Sequence, residues 1–412
     1  MPATDAFARH LATLAVDAAA SETARLHIFD TLVAARIGAL LDDAGPLPAA
    51  CDLHSRITRQ VALIRSTELD DIEISGLVTP GAVIVPTALL TARALGSDDA
   101  TVIAAVVAGY EAMIAIARAI DGARALARGI WPTYIAAAIG TAATVARLRG
   151  FDTPRMIAAL ALAAARTAPL AGRVAGPASP RFLLAGLTAA EGVRAAEAAA
   201  DGFDGDPDLL GELLHLITPG AVLPPIADRP LIEATEIKPY PTARQGFAAI
   251  EAFRSLGIGR EHAPQIASIA VEVPSSSLAM LATPARGRIG TLVNLGQQLA
   301  RSMVREGLYD ARRLDSLPDD LAELATRIQL NASPEFDEAF PTRWLARVCV
   351  TFADGKVLLS GDAPAPAPTG WATLAHKAAA IHRASGFDGT GLDILASDCR
   401  LPGRTRLASL CG

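Results

Sequence analysis

A mainly α protein, an alanine-rich helical bundle with an inserted α+β domain, is what three observations predict. Half of the residues are hydrophobic (51%) and only 4% are aromatic, so small side chains must build closely packed helices. Helical periodicity runs through the first half of the chain. Two proline-rich stretches, Ile217–Ala234 and Gly361–Gly370, then bracket a segment whose periodicity changes. At 412 residues the chain exceeds one ordinary core.

Helical patterns are expected at Ala3–Ala19, Glu22–Leu41, Ile57–Thr67, Gly81–Leu95, Asp98–Ala119, Thr133–Leu148, Pro154–Arg166 and Phe182–Ala200. Between the proline-rich stretches, IASIAVEV (Ile266–Val273) reads as a strand. Ala346–Phe352 and Lys356–Ser360 read as a hairpin about Asp354-Gly355. Helices are expected at Gly246–Leu256, Thr291–Arg305 and Pro318–Ile328, and a helical pattern returns after Gly370. The division is residues 1–235 for the first part of the helical domain, 236–362 for the inserted α+β lid, and 363–412 for the helical return.

A formal charge of −6 and a pI near 5.7, with no basic stretch interleaved with aromatics, argue against nucleic acid as a partner. No uninterrupted apolar run has the length of a membrane span. The N-terminus lacks the basic start and apolar core of a signal peptide, so a cytoplasmic protein is expected. Cys51, Cys349, Cys399 and Cys411 are too far apart for a metal knuckle and read as free thiols; a Cys399–Cys411 bridge is the alternative. The seven histidines are scattered, with no pair at helical spacing beside a third ligand, so no metal is expected. Dinucleotide, Walker and nucleophile-elbow motifs do not occur.

What recurs is a proline opening a small-residue helix behind a polar or cationic segment: Val78-Thr79-Pro80-Gly81, Ile130-Trp131-Pro132-Thr133, Ser179-Pro180-Arg181 and Lys238-Pro239-Tyr240-Pro241. Each alone is an ordinary helix start. If they converge, their free N–H groups would form a carboxylate site to which Arg181, Lys238 and Arg244 add full charges. Only three of the 37 basic residues are lysine, Lys238, Lys356 and Lys377. The acidic run Glu68-Leu69-Asp70-Asp71-Ile72-Glu73 would supply a general base or form a solvated helix end.

Five segments in order resemble the MmgE/PrpD family, which includes 2-methylcitrate dehydratase, cis-aconitate decarboxylase and iminodisuccinate epimerase. They are Ile28–Ala39, Thr79–Gly96, Ala104–Ile120, Gly129–Asp152 and Ile237–Ala252. The resemblance implies a helical domain with an inserted α+β lid, a homodimer, no cofactor, and a lyase or isomerase that moves a proton on a small di- or tricarboxylate. The family's D-x-D-D-T segment falls on Glu68–Ile72, so Asp70 and Asp71 match and Ile72 does not. Its two histidines fall on Thr79 and Trp131, one of its lysines on Arg181, and its K-P-Y-P lysine on Lys238. With both histidines replaced, proton transfer passes to Lys238, Asp70, Asp71, Tyr134 or Tyr240. Arg181, Thr79, Trp131, Tyr240 and Arg244 are the binding candidates. Near arginines and helix N-termini, Lys238 is expected to favour its neutral amine, able to act as a base. The alternative is a catalytically degenerate member that binds a metabolite or a partner protein.

Overall fold

The computed structural model describes residues 2–42, 47, 49–167, 181–312, 317–340, 342–364, 366–401 and 406–411. The first half is helical: α1 (Pro2–Thr13), α2 (Ala18–Ala39), α3 (Leu53–Ser66), α4 (Pro80–Leu95), α5 (Asp99–Ala119), α6 (Gly122–Ala127), α7 (Pro132–Leu148), α8 (Thr153–Ala165), α9 (Arg181–Ala200) and α10 (Leu209–Ile217). Asp17, Asp52, Asp98 and Asp152 each cap the helix that follows by accepting a backbone N–H in its first turn. Asp17 is the reason the expected Ala3–Ala19 helix stops at Thr13, because a cap there starts a new helix. Two short helices, α6 and α10, were not in the sequence pattern; both follow close on loops and have too few turns to show a period.

Alanine and glycine let these helices approach. A Cβ on Gly192 of α9 would run into the Ala138 carbonyl of α7, and one on Gly186 into the Thr58 carbonyl of α3. The helix α5 is long and apolar enough to cross a membrane, contrary to the sequence expectation that no run is. Here it is a core helix: Val106, Val107, Tyr110, Met113 and Ile114 are fully buried. Its Glu111 accepts the Leu231 backbone N–H at 2.9 Å.

Two hydrophobic cores form. The larger gathers α1–α10 together with α17 (Trp371–Ser385) and α18 (Leu392–Arg400), so the chain's end returns to the bundle. Lys377 of α17 clamps this return, its Nζ lying 2.7 Å from Asp30 Oδ1 of α2 with both side chains buried. The second core contains Tyr240, Phe247, Phe253, Ile269, Val271, Val348 and Val350. It is built from α11 (Phe247–Arg254), β1 (Ile266–Val273), α12 (Ser275–Leu281), α14 (Leu295–Ser302), α15 (Asp319–Ala325), β2 (Ile328–Ala332), β3 (Leu345–Phe352), β4 (Val357–Leu359) and β5 (Ala363–Pro364), with α13 (Gly287–Val293) and α16 (Pro334–Ala339) in the same stretch of chain. The sheet order is β2-β1-β3-β4, with β1–β2 parallel, β1–β3 and β3–β4 antiparallel, and β5 also pairing with β3.

The strand β2 was absent from the sequence reading. It is a mostly solvent-facing edge, so it lacks the apolar alternation that betrays a strand, and the expected Pro318–Ile328 helix ends at Ala325 before it. The expected Thr291–Arg305 helix is two, α13 (Gly287–Val293) and α14 (Leu295–Ser302). Asn294 divides them by capping the second: its Oδ1 accepts from Gln297 N at 2.9 Å. The Lys238-Pro239-Tyr240-Pro241 segment opens no helix either; it bends, and a 3₁₀ turn begins only at Arg244. All four cysteines are free thiols. Burial pushes Cys399 up to about 12 and Cys411 up to about 11.

Candidate active site

The acidic run and the Lys238 segment lie 170 residues apart in sequence, and a short antiparallel backbone pairing joins them. Ile72 N–H donates to the Glu236 carbonyl at 2.8 Å, and Glu236 N–H donates back to the Ile72 carbonyl at 2.8 Å. This register carries Lys238 past Glu68 and Asp70. Its Nζ donates to Glu68 Oε2 at 2.9 Å, to the Glu68 carbonyl at 3.3 Å and to Asp70 Oδ1 at 3.4 Å. Three acceptors thus surround one nitrogen. The cluster puts two carboxylates, not only arginines, around Lys238.

None of the four carboxylates in the acidic run is a solvated helix end; all are buried. Each has its own cations or donors. Asp70 binds Arg65, from the last turn of α3, as well as Lys238. Glu73 pairs with Arg118 at 2.8 Å and accepts from Gly76 N at 2.6 Å. Asp71 points the other way, into the bundle: Oδ2 receives the Tyr110 hydroxyl at 2.6 Å and lies 2.7 Å from His27 Nδ1, while Oδ1 accepts Gly81 N–H at 2.7 Å. Asp71 thus holds the first turn of α4 in place. Burial, with Asp71 and Asp30 nearby, raises the Tyr110 phenol well above its ordinary value, so it is a fixed donor at every working pH. Replacing Tyr110 with Phe is expected to cost about 1.5–3 kcal/mol in urea unfolding, the range for a hydrogen bond to a charged group. Gly81 has no room for a side chain here, since a Cβ would lie 2.8 Å from Asp71 Oδ2, Thr31 Oγ1 and Tyr110 Oη alike.

Glu68 is the residue that the candidate set omitted. It sits in the left-handed region, with φ 53°, a conformation that costs a non-glycine residue on the order of 1 kcal/mol and that clusters at functional sites. Burial pushes its carboxyl up, but Lys238, Arg65 and Arg181 outweigh burial and hold it down at about 2. Its Oε2 takes the Lys238 bond. Its Oε1, 3.4 Å from Arg181 Nη2 and 3.8 Å from Arg65 Nη2, accepts no hydrogen bond among the described residues. The signal was present, since Glu68 is the first acid of the run. Arg65 was hidden because a basic residue in a helix's last turn is ordinary.

Glu68 lines a cleft between the helical core and the α+β core, with about 440 Å³ of space counted to its open mouth. Around it stand Arg65, Thr79, Trp131, Thr133, Arg181, Lys238, Arg244, Gln245 and Met280. Two of the proline-opened helix starts therefore do meet here, those of α4 and α7. Ser179 and Pro180 lie outside the described residues, but Arg181 reaches the cleft and stacks its guanidinium 4.0 Å over the Trp131 ring. Burial lowers Arg181, Glu68 offsets part of this, and Arg65 adds to the lowering. Arg244 grips Glu236 through Nε at 2.6 Å and Nη2 at 3.3 Å, while its Nη1 is buried with no hydrogen-bond partner among the described residues. Thr79 Oγ1 is likewise buried and unpartnered.

The remaining candidates stand off the cleft. Asp70 is enclosed by Arg65 and Lys238 beneath it, and Asp71 faces His27 and Tyr110. Tyr134 donates its hydroxyl to the Arg181 carbonyl at 2.9 Å, and burial, partly opposed by Arg181 and Arg65, raises its phenol. It positions Arg181 rather than facing the cleft. Tyr240 belongs to the α+β core, where it packs edge-on against Phe247 and Tyr309 and donates to Glu251 at 3.1 Å.

Residues 60–212 match the model of the MmgE/PrpD N-terminal domain. No curated protein matches the chain. The matched span takes in Arg65, Glu68, Thr79, Trp131 and Arg181, and it ends before Lys238 and the α+β segment. Residues 60–212 therefore form an MmgE/PrpD N-terminal domain by similarity, and the match covers less than half of the chain.

Proposed function

We propose that the protein is a cofactor-independent enzyme of the lyase or isomerase type that moves a proton on a small carboxylic acid, with Glu68 as the base. The MmgE/PrpD N-terminal domain match supports dehydratase- or lyase-type activity in broad terms. The observation that carries the finer reading is Glu68 Oε1: a cleft-lining carboxylate oxygen with no hydrogen bond among the described residues, on a strained backbone, between three cations. A substrate carboxylate drawn to Arg181 and Arg244 places the carbon beside it against Oε1. Proton removal from that carbon loads a second negative charge onto the substrate carboxylate, and the surrounding guanidinium and ammonium groups stabilise it. A carboxyl held at about 2 is a weak base in the empty cleft. The bound acid corrects this, because it takes Arg181 from Glu68 and adds a negative charge nearby, and both changes raise Glu68. From the carbanion, expulsion of a leaving group gives a lyase, and return of the proton to the other face gives an isomerase.

Thr79 and Trp131 favour the second reading, a degenerate member that only binds its acid: neither side chain exchanges protons near neutrality, and Trp131 is occupied by Arg181. Proton NMR in D₂O separates the two. The purified protein is mixed with small hydroxy, unsaturated and imino acids carrying one to three carboxylates, with Lys238→Ala in parallel. Exchange or conversion of one acid, lost in the variant, is the expected result; binding without exchange across the set would establish the degenerate reading.

A further inference from the structure

The helix α4 starts without the cap that its sequence offers. Thr79 stands at the cap position, where a threonine hydroxyl ordinarily accepts a backbone N–H of the first turn. The four aspartates that cap α2, α3, α5 and α8 do this from extended backbone, with ψ between 169° and 178°. Thr79 has ψ 78°, and its side chain makes no capping bond. Asp71 caps the helix in its place: Oδ1 accepts Gly81 N–H at 2.7 Å, while His27 and Tyr110 hold Oδ2. The Thr79 hydroxyl is thereby released from the helix.

Nothing in the protein takes up the released hydroxyl. Thr79 is 6% exposed, and its Oγ1 has no hydrogen-bond partner among the described residues, yet it lines the cleft beside Glu68 and Lys238. A buried hydroxyl without a partner is costly, and buried polar groups nearly always have one. Arg244 is a second, independent sign in the same cleft. It is 5% exposed, and Glu236 holds its Nε at 2.6 Å and its Nη2 at 3.3 Å. Its guanidinium carbon lies 5.1 Å from the centre of the Trp344 ring. Only Nη1 is left with no partner among the described residues. That nitrogen is a donor on a charged group and suits a carboxylate oxygen. Thr79 Oγ1 is uncharged and can donate or accept, so it suits a different group of the same ligand.

We infer that Thr79 is a specificity-determining residue: its hydroxyl bonds a polar substituent, hydroxyl or carbonyl, that the acid carries in addition to the carboxylate taken by Arg244 Nη1. The inference rests on the reading above only in taking this cleft as the acid's site. It uses neither Glu68 as a base nor any proton transfer.

Malate and succinate test it, because malate is succinate with one hydroxyl added. That hydroxyl is next to one carboxylate and one carbon further from the other, so either end can sit at Arg244. In calorimetric titration of the full chain at pH 7, one malate enantiomer is expected to bind about fivefold tighter than succinate or more, the net worth of one hydrogen bond. Thr79→Val keeps the shape of the side chain without the hydroxyl and should abolish that preference. Thr79→Ser keeps the hydroxyl and should retain it. Urea unfolding of the unliganded protein separates this role from helix capping. Thr79→Val loses no capping bond and removes an unpartnered polar atom, so its midpoint should be unchanged or higher. A lowered midpoint would make the hydroxyl a cap and overturn the inference. Equal binding of malate and succinate by the native protein, or binding of neither, would mean that water alone meets Oγ1 and would overturn it too. So would a preference that survives in Thr79→Val or disappears in Thr79→Ser. Each of these results leaves Glu68 as the base to be decided by proton exchange. A preference that follows the hydroxyl, with no exchange on any acid, would support the inference and remove the proton-transfer reading.

Discussion

Replacing Lys238 with alanine is expected to lower stability in urea unfolding at pH 7 by about 3 kcal/mol, the lower end of the cost of breaking a buried ion pair. The ammonium bridges two buried carboxylates and a backbone carbonyl, so its loss strands Glu68 Oε2 and the carbonyl of a strained residue together. Arg65 and Arg181 remain beside Glu68, which keeps the cost from the upper end. The pH dependence distinguishes this from a simple packing loss. Glu68 has a folded value of about 2 against an ordinary 4.5, a depressed carboxyl. Its contribution is fully present above about 4.5 and is lost as pH falls through about 2. Lys238 is the largest of the cations responsible, so the gap between the native protein and Lys238→Ala should narrow as pH drops from 4.5 towards 2. A gap that stays constant across that window would place the loss in packing.

Glu68→Gln is expected to do something different. Glutamine keeps the length of the side chain and a carbonyl oxygen for Lys238, but it accepts no proton from carbon. Turnover should fall by about 10²–10⁴-fold, the usual range for removing a general base. Removing one anion also makes the cleft more favourable to an anion, so acid binding is kept or tightened. The signature is therefore a collapse of kcat with KM unchanged or lower, an interaction made in the transition state alone. An equal loss in binding would instead assign Glu68 to the scaffold that holds Arg181 and Lys238. The wall formed by Thr79 and Trp131 offers no replacement base, so no second residue is expected to rescue the variant near neutral pH.

Much of the fold was legible because its signals are local. Aspartate caps and helical periodicity mark most of the bundle, and Ile266–Val273 shows its strand by alternation. The misses also have local causes. The strand β2 is an exposed edge, α6 and α10 are short, and Asn294 breaks one apparent helix by capping another. The site was half legible. Residue type and proline spacing pointed to Arg181, Lys238, Arg244, Thr79 and Trp131, and these share one cleft. Which acid faces that cleft was not legible, because the four carboxylates of the run are chemically alike and only tertiary contacts separate them. Asp71 is drawn into the bundle by His27 and Tyr110, and Asp70 is enclosed by Arg65; Glu68 alone keeps an oxygen open. The pairing of Ile72 with Glu236, which sets Lys238 over Glu68, spans more than half of the cleft's sequence range and leaves no trace in either segment.

The surroundings of Lys238 are a similar case. Reading along the chain, its neighbours looked cationic, which argued for a neutral amine. In three dimensions the same cations come with Glu68 and Asp70, and the lysine bridges both.

Deuterium incorporation next to the carboxylate, followed by proton NMR in D₂O, tests the central claim most directly. The native protein and Glu68→Gln are compared on the acid that the native protein exchanges fastest, with calorimetry confirming that both bind it. Exchange by the native protein and its near-complete loss in the variant at matched occupancy are the expected results. Exchange by Glu68→Gln at the native rate would contradict it.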